Sequence, residues 1–366
     1  LWGGPRPKFY KSYTNKWSQE LSIPINSKTA FVTGGAAGIG FFVSKILAAC
    51  GYSIVLATRE GFEHEVEGAA KAIQKLYPTI KIIVPDTHLD LSSFESVRLF
   101  SKSLSKQIDS LDLLCLNAGR GGSKGDPRQL TIDGNESIVQ INALSHFLLT
   151  SELLPLLKNS TTQARVISQS SGARKNWPLS SKIDERIRNN FNCGSPTGTY
   201  DPSNYNAFHQ YNVSKASNCV FTFALNQRIE QHKLTNKIIG IVSQPGFACS
   251  GVNVQHNLGH SFVLGSWLPD GFLPTNALHD VAGQHVADGA LPMAMACLIK
   301  EPIERNVLFH PKGAMGGIPE IANALKLQKA IGHDTDPMNW IETKRIDIGN
   351  GFWKQAIETT KAEWKF

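Results

Sequence analysis

Tyr211 and Lys215 are the two residues of this chain best placed to move a proton. They stand four positions apart in an uninterrupted helical stretch, so the phenol and the ammonium share one face of a helix. A nearby positive charge favours the phenolate, and the spacing therefore predicts a pKa for Tyr211 below its ordinary value of about 10. A tyrosine tuned in this way can serve as a general acid or base near neutral pH.

The same spacing occurs by chance at Tyr77 and Lys81. Pro78 disfavours a helix at the residue before it, and the second member of that pair opens a predicted strand. Tyr211 differs because its helix follows a predicted strand that ends just before Ser171. A serine hydroxyl at that point can hold a substrate carbonyl and stabilise charge that develops on its oxygen.

A glycine-rich loop far upstream predicts a dinucleotide site. Thr33-Gly34-Gly35-Ala36-Ala37-Gly38-Ile39-Gly40 follows an apolar strand and opens a helix, and the amides at such a helix N-terminus attract a pyrophosphate. Gly34 permits the sharp turn, Gly38 lets the backbone approach the phosphates, and Gly40 lets the helix pack against the sheet. The alternative is a tight turn without a ligand, but the order of strand, loop and helix favours the cofactor.

Arg59 indicates which dinucleotide binds. It follows the second predicted strand, at the place where a site for NAD(H) would carry a carboxylate for the ribose 2′-hydroxyl. A guanidinium offers a fork that suits a 2′-phosphate instead, so the sequence favours NADP(H) over NAD(H). The alternative is an ordinary surface arginine beside Glu60.

Strands and helices alternate along the chain in the order that such a site needs. The pattern predicts strands over 28–33, 53–57, 80–84, 111–116, 164–169 and 238–243, and helices over 38–49, 63–76, 93–104, 133–157 and 210–231. Because near-continuous apolar strands alternate with helices, we expect an α/β fold: a single Rossmann-type, doubly wound parallel sheet with helices on both faces.

The predicted domain spans residues 28–315. It lies between an irregular N-terminal arm at 1–27 and a partly helical C-terminal extension at 316–366. Inside it, 172–209 form a long insertion before the catalytic helix, and 250–285 form a segment on the substrate side. Long loops in compact domains usually cover or bind a ligand, so we expect both segments to shape the substrate pocket.

The composition argues against several classes of function. The 366 residues include 37 Lys and Arg and 30 Asp and Glu, a net charge of +7, but the basic residues are scattered, so nucleic acid is not an expected partner. No apolar run is long enough to span a membrane. The six cysteines form no metal motif. They favour a reducing intracellular compartment, either the cytoplasm or an organelle entered after removal of a leader.

These motifs together resemble the short-chain dehydrogenase/reductase family over about residues 28–312. The glycine loop matches its T-G-x-x-x-G-x-G, Asn117-Ala118-Gly119 its N-A-G, and Tyr211 with Lys215 its Y-x-x-x-K. Pro245-Gly246 with Ser250 resembles the P-G-x-x-x-T segment that closes over the nicotinamide. The gap between Ser171 and Tyr211 is longer than in retinol dehydrogenases, so the substrate mouth is expected to differ.

The resemblance implies roles for individual residues. It implies that Ser171, Tyr211 and Lys215 are catalytic, and that Asn142 holds a water in a proton relay. Asp90 matches a residue that contacts adenine, although the residues alone also allow a place in the cap of the next helix. The cofactor contacts that the resemblance implies are Thr33, Gly34, Gly38, Ile39, Gly40, Arg59, Asp90, Leu91, Asn117, Ala118, Gly119, Tyr211, Lys215, Pro245, Gly246 and Ser250.

Within the family, runs such as Ser214-Lys215-Ala216-Ser217-Asn218 resemble the branch of retinol dehydrogenases and light-dependent protochlorophyllide reductases. The expected function is NADP(H)-dependent hydride transfer between nicotinamide and a carbonyl or alcohol of a hydrophobic substrate. One alternative is an NADP(H)-binding accessory or sensor subunit, held in a homo-oligomer or larger complex through the arm and the extension. Another is reduction of a C=C bond in a pigment-like substrate, which is disfavoured because Phe247 stands where protochlorophyllide reductases have a cysteine.

Overall fold

The computed structural model describes residues 8–20, 28–123, 125–176, 205–248, 283–300, 302–313, 316–322, 337–339 and 342–366. Within these ranges one sheet contains β1 (Thr29–Val32), β2 (Ser53–Val55), β3 (Ile82–Ile83), β4 (Leu113–Leu116), β5 (Ala164–Gln169), β6 (Ile238–Ser243), β7 (Leu308–Pro311) and β8 (Pro319–Ala322). The α-helices are α1 (Tyr10–Glu20), α2 (Gly38–Ala49), α3 (Glu63–Leu76), α4 (Phe94–Leu104), α5 (Ser137–Val139), α6 (Ser145–Lys158), α7 (Ala207–Gln231), α8 (Val286–Gly289), α9 (Leu291–Leu298) and α10 (Glu342–Thr360).

The strand order is β3-β2-β1-β4-β5-β6-β7-β8. β1 to β7 are parallel, so the predicted doubly wound sheet is confirmed, and its order reverses between β1 and β4. β8 pairs antiparallel with β7 at one edge, where Pro311 lies opposite Pro319. Neither of these strands was predicted, because short proline-bearing segments read as loops, although proline is tolerated at a sheet edge.

Helices cover both faces of the sheet, as expected. Successive strand residues point to opposite faces, and each set packs into a different core. Phe31, Leu114 and Val166 pack with α4, α6 and α7. Cys115 and Ile167 pack with α2, α3 and α9 on the other face.

The helix predicted over 133–157 begins later and is interrupted. After α5 the chain makes a π-helical turn over Gln140–Leu144 before α6 begins. The preceding residues are held out of the helix, since Gly134 has a φ of +79° and the Asp133 carboxylate accepts the Phe94 amide at 2.9 Å. Such π turns are frequent at functional sites, and this one contains Asn142.

The N-terminal arm, expected to be irregular, contains helix α1. Its first turn is held by the buried Asp288 carboxylate, which accepts the backbone N–H groups of Lys8, Phe9 and Tyr10 at 2.6, 3.0 and 2.8 Å. A carboxylate at a helix N-terminus satisfies donors that have no partner inside the helix. Because Asp288 is remote in sequence, no local pattern could indicate this helix.

Helix α10 covers α7 and part of α6 with an aromatic cluster. Phe147 packs edge-on against Trp353 and Trp364, with ring centroids 4.9 and 5.0 Å apart. The guanidinium of Arg228 lies 4.5 Å from the centroid of the Trp353 ring. The described end of the chain is therefore packed on the helix that carries the catalytic pair.

Candidate active site

The carboxyl ends of β1, β2, β4, β5 and β6 border a cleft of about 750 Å³. In an open parallel sheet, ligands bind at this edge, near the point where the strand order reverses. Gly40 and Asn142 lie behind the cleft wall, and the predicted contact Ser250 falls outside the described residues. The other predicted site residues line the cleft: Thr33, Gly34, Gly38, Ile39, Arg59, Asp90, Leu91, Asn117, Ala118, Gly119, Ser171, Tyr211, Lys215, Pro245 and Gly246.

The glycine loop forms one end of this cleft. Gly34 and Gly38 have φ angles of +65° and +53°, a backbone region that favours glycine. A Cβ placed on Gly38 would meet no atom within 4 Å, so this part of the backbone faces open space. A Cβ on Gly40 would lie 2.2 Å from the carbonyl oxygen of Gly34, so only glycine lets α2 start so close to the loop. Contact with phosphates remains a prediction.

Thr33 ties this loop to the next strand from inside the protein. Its hydroxyl accepts the backbone N–H groups of Asn117 and Ala118, both at 3.0 Å, and lies 3.1 Å from Nε2 of His146. Burial lowers the pKa of His146 to about 3, so its imidazole is neutral. Its Nδ1 lies 3.2 Å from the Asn142 carbonyl and must donate there, so Nε2 accepts from Thr33. The Thr33 hydroxyl thus holds the loop in place.

The far edge of the cleft carries Arg59 and Asp90. The Arg59 guanidinium carbon lies 4.1 Å from the centroid of the Phe62 ring, a cation–π contact at an exposed position. The Asp90 carboxylate accepts the backbone N–H and the hydroxyl of Ser92, at 2.8 and 2.7 Å. The cap of α4 is Ser93, so Asp90 orders the turn before that helix.

Ser171 and Tyr211 meet at the opposite end. Asn206 caps α7 by accepting the N–H groups of Phe208 and His209, so the helix begins three residues earlier than predicted and Tyr211 lies in its second turn. The Tyr211 side chain is 9% exposed, and it lies close enough to the Ser171 hydroxyl for that group to lower its pKa. The structure therefore brings together the two groups that the sequence assigned to substrate oxygen chemistry.

Burial controls the ionisation of the catalytic pair. Burial raises the pKa of Tyr211, and the nearby Ser171 hydroxyl offsets only part of that rise. The lowered pKa predicted from the Lys215 charge is therefore wrong, because loss of solvent around the phenolate is the largest cause of the shift. The Nζ of Lys215 lies 5.7 Å from the Tyr211 ring centroid and donates to the Gln169 carbonyl at 3.0 Å. Burial also lowers the pKa of Lys215 to about 8.

Asn142 holds the segment that follows Gly119. Its Oδ1 accepts the Arg120 backbone N–H at 2.8 Å, and its Nδ2 donates to the Arg120 carbonyl and to the Ser214 hydroxyl, both at 2.9 Å. The side chain is fully buried with every polar atom engaged. It fixes the cleft wall, and the relay role suggested by the resemblance stays a prediction.

Arg120 and Gln169 are among the cleft residues that were missed from the sequence. Arg120 follows the N-A-G run, and its guanidinium donates to Gln129 at 2.8 Å and to Ser137 at 3.2 Å. Gln169 ends β5 and is 4% exposed. A signal existed for Gln169, since an amide side chain closes a strand that is otherwise largely apolar.

The segment after β6 closes the cleft. Gly246 has a φ of +71°, and the Pro245 carbonyl accepts a hydrogen bond from the Gln284 side chain. The Phe247 carbonyl accepts the Gln284 backbone N–H at 2.9 Å. Most of the predicted insertion and of the substrate-side segment, residues 177–204 and 249–282, lies outside the described residues.

Within the described ranges, no group of three His, Cys, Asp or Glu side chains could hold a metal ion. The same ranges contain no helix that is both long and apolar enough to cross a membrane.

Comparison with known proteins places these motifs in context. Residues 28–181 match the family model described as short chain dehydrogenase. The chain is 29% identical over 281 residues to the short-chain dehydrogenase TIC 32 A, chloroplastic, of Brassica napus, covering 73% of this chain and 82% of that one. It is 32% identical to retinol dehydrogenase 13 of Homo sapiens, covering 62% and 61%. Against the chloroplastic protochlorophyllide reductase of Chlamydomonas reinhardtii it is 34% identical, covering 43% and 38%.

Solved structures share the fold. A protein from Mycobacterium Paratuberculosis aligns with a TM-score of 0.63 and 21% identity, covering 95% of this chain and 98% of that one. A short chain dehydrogenase from Burkholderia cenocepacia J2315, crystallised in complex with NADP, aligns with a TM-score of 0.52 and 19% identity, covering 76% and 93%.

Proposed function

We propose that this chain, which belongs to the short-chain dehydrogenase/reductase family, is an NADP(H)-dependent oxidoreductase that interconverts a carbonyl and an alcohol on a hydrophobic substrate. The observation that carries the proposal is that Ser171, Tyr211 and Lys215 line one end of a cleft that begins with a glycine loop. A proton donor and a second hydroxyl beside a dinucleotide site are the groups that carbonyl reduction requires.

The cleft fits a dinucleotide. The open space beside Gly38 lets phosphates approach the backbone at the start of α2. At the other end, the buried Gln169 amide has no hydrogen-bond partner among the described residues, which supports a polar ligand there. When bound, a nicotinamide would supply or accept the hydride.

Tyr211 and Ser171 act on the substrate oxygen. Because the pKa of Tyr211 is raised, its hydroxyl is protonated at neutral pH and can donate to a carbonyl oxygen. The Ser171 hydroxyl orients that oxygen and stabilises the charge that develops on it. The Lys215 ammonium then stabilises the phenolate that remains. A protonated tyrosine favours the reductive direction at neutral pH.

Arg59 supports the choice of NADP(H). Its guanidinium stands at the far edge of the cleft, against the Phe62 ring. A planar, permanently charged fork suits a phosphate group better than a neutral hydroxyl pair.

Apolar side chains support a hydrophobic substrate. Phe208 and Phe247 border the cleft on the side of Tyr211, and retinol dehydrogenase 13 is among the relatives. Retinal is therefore a reasonable first substrate to test. The buried thiols of Cys50, Cys115 and Cys297, which form no disulfide among the described residues, support a reducing compartment.

The function is tested by titrating the purified chain with NADPH and NADH, then following NADPH consumption with retinal and with aliphatic and aromatic carbonyls. We expect tighter binding of NADPH and its consumption with at least one hydrophobic carbonyl. Tight binding without consumption across that panel would instead support an accessory or sensor role. Failure to bind either cofactor would contradict both functions.

A further inference from the structure

Gln169 is a buried glutamine whose side chain has no partner. It closes β5, borders the cleft and is 4% exposed. Neither its Oε1 nor its Nε2 has a hydrogen-bond partner among the described residues. By contrast its backbone carbonyl accepts from Lys215 at 3.0 Å and from Asn218 at 2.8 Å. A primary amide offers two donors and one acceptor, and leaving them all unpaired in a buried place is unfavourable.

The direction of this side chain follows from the alternation of β5. Arg165 donates to the carbonyls of Ala296, Cys297 and Ile299, at the end of α9. Alternate strand residues share a face, so Gln169 leaves the sheet on the α9 side, away from α7. Its direct neighbour in the register is Ser243 of β6, whose buried hydroxyl also has no partner among the described residues. Two adjacent polar groups therefore stand unpaired at the carboxyl edge of the sheet.

The chemistry of the Gln169 amide limits the kinds of ligand group that can bind it. The cleft is also bordered by the apolar side chains of Ile39 and Pro245, both close to Gly289 of α8. A ligand group that satisfies a primary amide must offer both a donor and an acceptor. Phosphates offer only acceptors, and an apolar substrate offers neither.

We propose that Gln169 binds the carboxamide of the nicotinamide ring through paired amide hydrogen bonds. This rests on the proposed function, because the carbon that exchanges hydride must come close to the substrate oxygen held by Tyr211 and Ser171. The carboxamide is carried by the adjacent ring carbon, so it belongs at the same end of the cleft. Gln169 thereby sets the orientation of the ring, with Ser243 beside it.

The test compares ligands that differ only at the ring. The Kd values of NADP⁺, of its 3-acetylpyridine analogue and of 2′-phospho-ADP-ribose are measured by calorimetry for the wild-type chain and for Gln169→Met. The acetyl group keeps the carbonyl acceptor and loses the N–H donors, and 2′-phospho-ADP-ribose lacks the ring altogether. Methionine keeps the unbranched shape of the side chain without its amide.

We expect Gln169→Met to raise the Kd of NADP⁺ by about five- to twentyfold, the scale of one or two net hydrogen bonds, and to leave that of 2′-phospho-ADP-ribose unchanged. The wild-type chain should prefer NADP⁺ to the acetylpyridine analogue by several-fold, and the variant should lose that preference. The melting temperature of the unliganded variant should not fall, because no protein hydrogen bond is removed. The preference of the wild-type chain for NADP⁺ over the acetylpyridine analogue tests the proposal even if the Gln169→Met variant does not fold.

Gln140→Met is the matched control. Gln140 is also buried, but its side chain is paired with Thr131, Asn135 and Asp133, outside the cleft. Its variant should melt at a lower temperature and keep the wild-type preference among the ligands. An equal loss of affinity for NADP⁺ and 2′-phospho-ADP-ribose in Gln169→Met, or no loss for either, would overturn the role of Gln169. If the wild-type chain bound no NADP⁺, the proposed function itself would fall.

Discussion

At the loop end of the cleft, the Thr33 side chain has its hydrogen-bond partners inside the protein, whereas at the catalytic end, around Tyr211, the buried Gln169 side chain has none among the described residues. The Thr33 hydroxyl is engaged by two backbone amides and a neutral imidazole. At the catalytic end the pKa of Tyr211 is raised, that of Lys215 is lowered to about 8, and the Gln169 amide has no partner among the described residues.

This difference indicates that residues at the loop end mainly stabilise the fold, whereas residues at the catalytic end mainly serve binding and catalysis. A buried hydrogen-bond network that is fully satisfied fixes the backbone against which a cofactor can lie. An unpaired buried polar group costs folding free energy, and one that borders a cleft indicates a ligand that pairs with it. Substitutions at the loop end should therefore change stability, and substitutions at the catalytic end should change rate or selectivity.

Tyr211→Phe should have the largest effect. Removing the proton donor should lower kcat for carbonyl reduction by about a thousandfold, within the range of general acid catalysis. The melting temperature and NADPH affinity should stay close to wild type, because only one hydroxyl is lost. Steady-state kinetics, calorimetry and thermal melts measure the three quantities.

Tyr52→Phe is the control for that variant. Tyr52 directly precedes β2, and its phenol is also buried but lies outside the cleft. This control should leave turnover near the wild-type value. Turnover of Tyr211→Phe within tenfold of wild type would mean that another group supplies the proton.

Thr33→Val should have the next largest effect, and on stability. Valine keeps the shape of threonine but leaves the Ala118 N–H without its acceptor, whereas the Asn117 N–H keeps the Cys115 carbonyl at 3.0 Å. We expect the free energy of unfolding in urea to fall by about 1–3 kcal/mol, the cost of one unpaired N–H group, while kcat of the folded enzyme changes by less than tenfold. Thr33→Ser restores the hydroxyl and should recover most of the stability. Unchanged stability in the valine variant would break the contrast between the two ends.

Arg59→Ala should have the smallest effect of the three and one confined to binding. Loss of a charge-assisted contact with a 2′-phosphate should raise the Kd of NADPH about ten- to thirtyfold, equivalent to roughly 1.5–2 kcal/mol. The Kd of NADH and the melting temperature should barely change, because the side chain is exposed. Equal effects on the two cofactors would show that Arg59 does not select between them.

Features that depend on contiguous residues could be predicted from the sequence. The glycine loop and the Tyr211–Lys215 pair are local patterns, and the alternating strands were enough to predict the parallel sheet. The sign of the Tyr211 pKa shift could not be predicted in the same way, because it depends on how much solvent the whole fold removes from the hydroxyl.

Features that depend on distant partners were also missed. Helix α1 begins where Asp288 accepts its amides. β7 is a short strand that pairs with β6 and β8, and β8 forms the edge of the sheet. The lack of a hydrogen-bond partner for the Gln169 side chain among the described residues can be seen only once its neighbours in space are known. In each case the deciding contact joins residues far apart in the chain.

The central claim is hydride transfer from a nicotinamide to a carbonyl carbon at the catalytic end of the cleft. Its most direct test uses NADPH deuterated on the transferring face of C4, with retinal or the best carbonyl found, and mass spectrometry of the product. We predict an alcohol that carries one deuterium on the former carbonyl carbon, formed in step with NADPH consumption and absent with Tyr211→Phe. NADPH consumption with no deuterium in the product, with either face labelled, would contradict the account.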